Sequence, residues 1–412
     1  MTSQQRLVEI LTNKGTLPED WRKAVAAVDR GLFLPEVFEG VSKATDPVRW
    51  ARRAYGDVPV VTQTDDGEQD GPGTPTSSSS MPSIMLEMLS LLDVRDGHRV
   101  GEVGAGTGLN AAWLAHRLGV ENVVTIEYDP VVAEQARANL KAAGLPVTVI
   151  TGDGMAGFPE HAPLDRVICT CTVREVPYAW VEQAPGGRIV TPWGGSFHSY
   201  SFVTLDVGGD GVASGRFSGY PAFMWARGHR GRTAAIADVY HDEQGEKSAT
   251  RLDPRHIDGD ADALFAVGTR VRDAFPRLHH ADDGSDEATF WILADDRTSW
   301  ATVEYVPGHE TYEVEQYGPR RLWDEVETAY RWWEEQGRPP RDHFGLTVTP
   351  DGQQVWLDQP DHVVTTGTPE AQAASFEPSL QGTGGGFNPP TLRVDLSRPS
   401  CDGQSRGSSV PA

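Results

Sequence analysis

The sequence predicts an α/β fold built on a doubly wound mixed sheet, followed by a smaller α+β domain. A glycine-rich stretch at 100–108, VGEVGAGTG, lies between an amphipathic run at 83–92 and a helical run at 109–118. Short β-branched runs then alternate with helical runs up to about residue 190, as parallel strands joined by crossover helices do. From about residue 232 the pattern changes to successive strands, which is typical of an α+β unit.

The glycine-rich stretch has the form of a ligand-binding turn between a strand and a helix. Gly104, Gly106 and Gly108 alternate at the turn, where missing side chains let a ligand approach the backbone closely. Glu102 precedes them, so the stretch reads E-x-G-x-G-x-G and differs from the dinucleotide fingerprint G-x-G-x-x-G. An ordinary tight turn is the alternative explanation of such a loop when it occurs alone.

Two acidic residues follow at the ends of the next predicted strands. One β-branched run ends on Glu127, about 20 residues after the glycines, where a carboxylate can bind both hydroxyls of a ribose. The next run leads to Asp153 and Gly154, where a carboxylate can accept a hydrogen bond from an adenine amino group. A solvated charge at a strand end is the alternative explanation of Glu127. Further strands are predicted at 165–170 and 188–190.

These motifs resemble those of class I S-adenosylmethionine-dependent methyltransferases, which have a Rossmann-like fold. Their flanks are similar to protein-L-isoaspartate O-methyltransferases over roughly residues 20 to 205. The similar segments, with the family patterns, are 28–36 (V-x-R-x-x-F-V-P-E), 54–59 (A-Y-x-D-x-P), 169–177 (V-T-A-A…V-P) and 185–194 (P-G-G-R…P-x-G). The resemblance implies S-adenosylmethionine as the cofactor, bound by Glu102, Gly104, Gly106, Gly108, Glu127, Asp153 and Gly154.

A serine run replaces the family pattern T-I-S-x-P ahead of the glycine-rich stretch. The segment 76–82 reads TSSSSMP, and alignment on Pro82 puts Ser80 at the family's serine and Ser78 at its threonine. The family's hydroxyls hold the substrate carboxylate. The resemblance therefore implies that Ser78, Ser79 and Ser80 form the catalytic loop that orients this group. A flexible linker is the alternative explanation of such a run.

The serine run and the long C-terminal extension are similar to a subgroup that modifies ribosomally made peptides, including lanthipeptides. We therefore expect methylation of an aspartate carboxylate in a modified precursor peptide, leading through a succinimide (aspartimide) to aspartate or isoaspartate. An ionised aspartate needs no general base at pH 7, so positioning suffices. One alternative is the repair of isoaspartyl proteins by the same fold. Another is a module that binds the cofactor or a peptide without catalysis.

Composition and patterning divide the 412 residues into three parts. We predict a methyltransferase domain with an N-terminal helical cap at 1–230, an α+β substrate-recognition domain at 231–362 and a disordered tail at 363–412. In the first part, residues 60–80 are predicted to be a mobile loop leading into the site. In the second part, we predict strands at 290–293 and 300–306, a helix at 322–336 and a hairpin at 344–358.

The composition also bears on partners and location. A formal net charge of −23 disfavours nucleic acid, whose phosphates require Lys and Arg. The sequence has no run of 18 apolar residues and no apolar signal core, so we expect no membrane association. Cys169, Cys171 and Cys401 are too sparse for a disulfide framework and favour packing over metal binding. We expect a cytoplasmic monomer without a metal site.

Overall fold

The computed structural model of the chain describes residues 3–197, 201–230 and 235–364, so nearly all of the predicted tail at 363–412 lies outside the described residues. Its helices are Ser3–Asn13 (α1), Glu19–Ala27 (α2), Pro47–Ala54 (α3), Pro82–Leu92 (α4), Leu109–Leu118 (α5), Pro130–Ala142 (α6), Tyr178–Gln183 (α7), Arg255–Asp258 (α8), Ala261–Arg270 (α9) and Leu322–Glu335 (α10). Its strands are Val37–Phe38 (β1), Val41–Ser42 (β2), Val60–Thr64 (β3), Pro75–Ser79 (β4), Val100–Val103 (β5), Val123–Glu127 (β6), Thr148–Thr151 (β7), Arg166–Cys169 (β8), Arg188–Trp193 (β9), Ser201–Val207 (β10), Ala213–Ser218 (β11), Glu246–Thr250 (β12), Ala274–His280 (β13), Ala288–Ala294 (β14), Trp300–Tyr305 (β15), Tyr312–Tyr317 (β16), Phe344–Thr349 (β17) and Gly352–Leu357 (β18).

The central element is a nine-stranded sheet in the order β18-β17-β11-β10-β9-β8-β5-β6-β7. Strands β5 to β9 pair in parallel, and β10, β11, β17 and β18 pair antiparallel with their neighbours. The chain moves from β5 outward through β6 to β7 and then continues on the other side of β5 with β8. The strand order therefore reverses beside β5, and ligands of doubly wound sheets bind at such a reversal. The predicted doubly wound mixed sheet is confirmed.

The inner parallel strands are buried on both faces because helices cover each side. Val167 and Ile168 are neighbours in β8 but belong to different cores, since successive side chains in a strand point to opposite faces. One core contains the N-terminal helices α1 to α3 together with α4, α5 and α6. The other contains α7 and, from the second half of the chain, α9 and α10.

A second sheet of five antiparallel strands has the order β12-β16-β15-β14-β13. It lies in the chain between β11 and β17, and helix α9 joins its region to the large sheet. The ring of Phe265 on α9 packs edge-on against Phe217, at 5.0 Å between centroids, and against Phe344, at 5.4 Å. The two halves of the chain therefore share one hydrophobic core.

The hairpin predicted at 344–358 is present, and it extends the large sheet. Strand β17 pairs antiparallel with β11, with Arg216 opposite Gly345. Strand β18 then forms the edge of the sheet. The predicted domain boundary at 230–231 falls between these two paired strands. A division of the chain there stays a prediction, and the pairing shows that the polypeptide returns to its first sheet.

The prediction of a mobile loop at 60–80 is wrong for both ends of that segment, which are strands. Strands β3 and β4 pair antiparallel, with Val60 opposite Ser79 and Val61 opposite Ser78. The prediction gave weight to the Ser, Gly and Asp content of the segment. The β-branched residues of β3 favour a strand, and the serines of β4 lose little by joining it, since their backbone groups become paired. A flexible linker is therefore also the wrong explanation of the serine run.

Candidate active site

A cavity of about 540 Å³ opens at the carboxyl ends of β5, β6 and β8. The glycine-rich loop and the acidic strand ends form one wall, which we call the cofactor wall. The serine run and segment 220–230 form another wall, which we call the substrate wall. Of the predicted site residues, those that line the cavity are Ser78, Ser79, Ser80, Glu102, Gly104, Gly106, Glu127, Asp153 and Gly154.

Not all the glycines of the loop line the cavity. Gly104 and Gly106 have φ of 92° and 52°, in the left-handed region that favours glycine. A Cβ on Gly104 would lie 2.8 Å from Thr170 Oγ1, so there is no room for a side chain. Gly108 has φ of 88° but precedes α5 behind the loop, where a Cβ would lie 3.1 Å from Leu140 Cγ. The structure gives Gly108 a turn and packing role and does not place it in the cavity.

The Glu127 carboxylate is fixed by two backbone donors at the end of β6. The Gly106 N–H donates to Glu127 Oε2 at 2.9 Å, and the Asp129 N–H donates to Oε1 at 3.0 Å. Burial raises the pKa of Glu127, although both donors act in the opposite direction. Each oxygen keeps a further lone pair that can accept from a ligand hydroxyl. The geometry therefore suits a group with two neighbouring hydroxyls.

Glu102 joins strand β5 to α5 and β6 through its side chain. Its side chain is fully buried, and it accepts hydrogen bonds from Asn110 Nδ2 at 2.7 Å and from Thr125 Oγ1 at 2.6 Å. Burial raises the pKa of Glu102 to about 7, against the effect of these two donors. Both carboxylate oxygens therefore have partners, one in the helix that follows the glycine-rich loop and one in the neighbouring strand β6.

Asp153 and Gly154 close the cofactor wall after β7. Asp153 is exposed and accepts from the Met155 N–H at 3.0 Å, which fixes the turn that follows. Gly154 is buried, and a Cβ there would lie 2.4 Å from Val103 Cγ1. Trp180 Nε1 donates to the Gly154 carbonyl oxygen at 2.8 Å. The tight packing at Gly154 therefore sets the position of the exposed Asp153 carboxylate.

A buried guanidinium holds the serine run against the protein. Arg30 is completely buried, and burial lowers its pKa to about 10, so it remains charged at neutral pH. It is the arginine of the V-x-R pattern at 28–30, which gives no sign of this role. One side chain joins several backbone segments at this point. Its acceptors, at 2.7–3.4 Å, are the carbonyl oxygens of Ala54, Gly56, Val58, Ser79 and Ser80.

The three serines reach the cavity with different degrees of burial. Ser78 and Ser80 are half-buried, whereas Ser79 is 3 % exposed. Within the described part of the chain, the buried Oγ of Ser79 has no hydrogen-bond partner. An unpaired buried hydroxyl costs about 1–3 kcal/mol, so a ligand that accepts from it would relieve that cost.

Segment 220–230 forms the part of the substrate wall that sequence analysis missed. Arg341 donates to the carbonyl oxygen of Gly219 at 3.1 Å, which anchors the start of the segment. The guanidinium of Arg174 lies 4.8 Å from the ring centroid of Trp225. These contacts join residues that are far apart in the sequence, so no local sequence pattern predicts them.

A match to a known family covers the cofactor wall and the serine run. The family model described as "Protein-L-isoaspartate(D-aspartate) O-methyltransferase (PCMT)" matches residues 2–206. "Protein-L-isoaspartate O-methyltransferase 2" of Archaeoglobus fulgidus is 36% identical over 210 residues, which are 50% of this chain and 85% of that protein. This chain belongs to the protein-L-isoaspartate O-methyltransferase family. It is an S-adenosylmethionine-dependent methyltransferase, and S-adenosylmethionine is its methyl donor.

A second relative agrees with this family, and a solved structure has the same fold. The protein-L-isoaspartate O-methyltransferase of Methanopyrus kandleri is 35% identical over 234 residues, which are 56% of this chain and 93% of that protein. A solved structure named as a protein-L-isoaspartate O-methyltransferase has a TM-score of 0.50 and 24% identity, covering 86% of this chain and 100% of that one. The fold of that protein therefore extends well beyond the half of this chain that the family model matches. The relatives' names favour the repair alternative over the peptide-tailoring function that the sequence analysis preferred.

The described residues give two further results. None of their helices is long and apolar enough to cross a membrane. Nor do they contain a group of three or more His, Cys, Asp or Glu side chains arranged to hold a metal ion. Cys169 is buried at the end of β8, and Cys171 lines the cavity beside the glycine-rich loop. The absence of a metal from the reaction stays a prediction.

Proposed function

We propose that the chain methylates a carboxylate of isoaspartyl residues in proteins or peptides. The observation that carries the proposal is the position of the serine run. Ser78, Ser79 and Ser80 share one cavity with Glu127 and the glycine-rich loop, so a carboxylate and the methyl donor can meet there. The names of the relatives from Archaeoglobus fulgidus and Methanopyrus kandleri support the choice of isoaspartate as substrate.

Positioning accounts for the chemistry. S-adenosylmethionine supplies an electrophilic methyl group on a sulfonium sulfur. Glu127 would accept from the ribose hydroxyls, and Asp153 would accept from the adenine amino group. Hydroxyls of the serine run would donate to the substrate carboxylate and aim one oxygen at the methyl group. A carboxylate is ionised at neutral pH, so no general base is needed.

The product explains how repair can follow. A methyl ester is a good electrophile, and the backbone nitrogen of the next residue in the substrate can attack its carbonyl carbon. Methanol leaves, a succinimide ring closes, and water reopens the ring to aspartate or isoaspartate. These later steps take place on the substrate and need no further group from the enzyme.

The test uses S-adenosylmethionine labelled on the methyl group and two short peptides that differ only in one residue, isoaspartate or aspartate. We expect label to enter the isoaspartyl peptide and to be released as methanol on mild base treatment. Label in neither peptide, from enzyme that binds S-adenosylhomocysteine, would contradict the proposal. Equal labelling of both peptides would contradict the isoaspartyl selectivity.

A second candidate is methylation of an ordinary aspartate in a ribosomally made, modified peptide. One observation favours it, the four serines at 77–80 in place of T-I-S-x-P. A cyclised aspartyl peptide added to the same assay separates the candidates. Labelling of this peptide at a higher kcat/KM than the isoaspartyl peptide would select the second candidate.

A further inference from the structure

Two arginines lie at the mouth of the cavity on the substrate wall. Arg227 and Arg230 both line the cavity, and their side chains are 20% and 31% exposed. They face the hairpin of β3 and β4, whose second strand carries the serine run. The chain as a whole has a formal net charge of −23, so it repels anions in general. The two guanidinium groups make the entrance a local exception.

Arg227 belongs to the fixed framework of the entrance. Its Nη2 donates to Asp129 Oδ2 at 2.9 Å and to Gln63 Oε1 at 3.2 Å. The Asp129 side chain is only 7% exposed, and it also accepts from the Val131 N–H at 2.8 Å at the start of α6. Asp129 therefore has a structural role of its own and holds Arg227 in place.

Asp66 of the hairpin engages Arg230 from across the entrance. Arg230 Nη1 lies 2.7 Å from Asp66 Oδ2 and 3.0 Å from Oδ1. Asp66 Oδ1 is also 3.3 Å from Arg227 Nη2. One carboxylate thus bridges both arginines at the rim of a cavity built to receive another carboxylate.

The hairpin does not depend on the Asp66 carboxylate for its shape. The tip is held by Asp65, which accepts from the Gly73 N–H at 2.7 Å and from the Thr74 N–H at 2.8 Å. The Asp66 N–H donates to Thr76 Oγ1 at 3.0 Å. The side chain of Asp66 is 40% exposed, and ion pairs that exposed are weak. The Asp66 carboxylate can therefore leave the arginines while the tip keeps its conformation.

We propose that Arg230, together with Arg227, binds a second carboxylate of the peptide substrate, and that Asp66 occupies this position until the peptide displaces it. The proposal rests on the proposed function, since it describes the substrate of the same cavity. A guanidinium matches a carboxylate in shape and charge, and the Asp66 contact shows that the position accepts one. An Asp or Glu side chain and a peptide C-terminus present the same group.

The test compares isoaspartyl peptides that carry one Glu or one Gln at each position from three before to three after the isoaspartate. All have blocked ends, and a parallel set has a free C-terminal carboxylate. Binding is measured by fluorescence anisotropy with S-adenosylhomocysteine present, and methylation is measured as kcat/KM. We expect the best Glu peptide, or the free C-terminus, to exceed its neutral match by about 2- to 5-fold in both, as one partly exposed ion pair allows. The preference should shrink at high ionic strength because salt screens such pairs.

Two variants then address the arginine and its internal partner. Arg230→Gln should reduce the acidic-to-neutral ratio to about one, whereas the matched control Arg331→Gln, at an exposed ion pair on α10, should leave the ratio unchanged. Asp66→Asn should raise affinity for the acidic peptide by about 2- to 5-fold, because the competing carboxylate is gone. Asp96→Asn, at an exposed ion pair with Arg117, is its matched control.

The outcomes separate this proposal from the proposed function. No acidic preference in the wild-type protein, or one that survives in Arg230→Gln, overturns the arginine site. Weaker binding of the acidic peptide by Asp66→Asn overturns the competitor role of Asp66. An acidic preference in binding without methylation leaves the arginine site standing and overturns the proposed function. Methylation of isoaspartyl peptides without any acidic preference leaves the proposed function standing and overturns the arginine site.

Discussion

The two walls of the cavity are built by different means. The cofactor wall is built from the ends of consecutive strands. Its key contacts join residues that are close in the sequence, such as Gly106 and Glu127, which are 21 residues apart. The substrate wall is joined by contacts between distant segments, such as Arg30 with Ser80, 50 residues apart, and Arg230 with Asp66, 164 residues apart. The cofactor wall therefore leaves a motif in the sequence. The substrate wall leaves none, because its residues are brought together only by the folded structure.

This difference predicts how damage to each wall should appear. Changes in the cofactor wall should affect cofactor affinity or the electrostatics of the loop. Changes in the substrate wall should affect stability or turnover, with cofactor affinity nearly unchanged. Four substitutions test whether the walls are separable in this way: two are in the cofactor wall, one is in the serine run, and one removes the guanidinium that holds the serine run.

The largest effect is expected from Arg30→Ala. The substitution leaves five carbonyl oxygens without their buried donor, which should lower the free energy of unfolding by about 3–5 kcal/mol. Urea denaturation measures this value. Arg30→Lys keeps the charge but not the forked geometry, and it should recover only part of the loss. An Arg30→Ala protein as stable as the wild type would show that the serine run is held by other contacts.

Ser80→Ala should reduce turnover strongly and leave the cofactor wall intact. Loss of one aligned donor costs roughly 100-fold in kcat. S-adenosylhomocysteine affinity, measured by calorimetry, should change by less than about twofold, because the serine lies on the opposite wall. Ser83→Ala, on α4, is the matched control. Wild-type turnover in Ser80→Ala would remove the serine run from the catalytic site.

Glu127→Ala should weaken the binding of S-adenosylmethionine and S-adenosylhomocysteine. The variant loses a charged acceptor for two hydroxyls and leaves the Gly106 N–H unpaired, so we expect a loss of about 1.5–3 kcal/mol in binding free energy. Calorimetry checks this, with Glu134→Ala on the exposed side of α6 as the control. Undiminished affinity would mean that the ribose binds elsewhere.

Glu102→Gln should produce the smallest effect, and one that depends on pH. The folded protein raises the pKa of Glu102 from 4.5 to about 7, so between these values the folded state binds more protons than the unfolded state. Wild-type stability at this site therefore falls as pH rises through that window, whereas Gln does not titrate. From pH 6 to pH 8 the variant should gain roughly 1 kcal/mol relative to the wild type in the free energy of unfolding. A difference that is constant with pH would contradict the raised pKa.

The sequence predicted most of the cofactor wall and little of the substrate wall. Glycines with positive φ and strand-end acids leave a local signature, so Gly104, Gly106 and Glu127 could be placed in advance. Gly108 shares this signature but packs against Leu140 behind the loop, because a sequence pattern cannot show whether a glycine faces the cavity. Segment 220–230 carries no motif, and its position depends on ion pairs and stacking with residues far along the chain.

The secondary-structure elements show the same contrast between features that the local sequence predicts and features that depend on distant residues. Helix α10 and strands β14 and β15 were predicted because periodicity and β-branched residues mark them locally. The return of β17 to β11 was not, since pairing partners depend on the whole topology. The mobile-loop prediction for 60–80 failed because composition suggested flexibility, whereas Arg30 and the pairing of β3 with β4 fix that hairpin.

The late return of the chain to its first sheet has a consequence during synthesis. While the ribosome makes the residues that follow Ser218, strand β11 is an open edge whose partner, beginning at Phe344, does not yet exist. At 5–20 residues per second, this interval lasts roughly 6 to 25 seconds. Unpaired edges invite association with other chains. The nascent protein therefore carries an exposed sheet edge until the hairpin of β17 and β18 emerges.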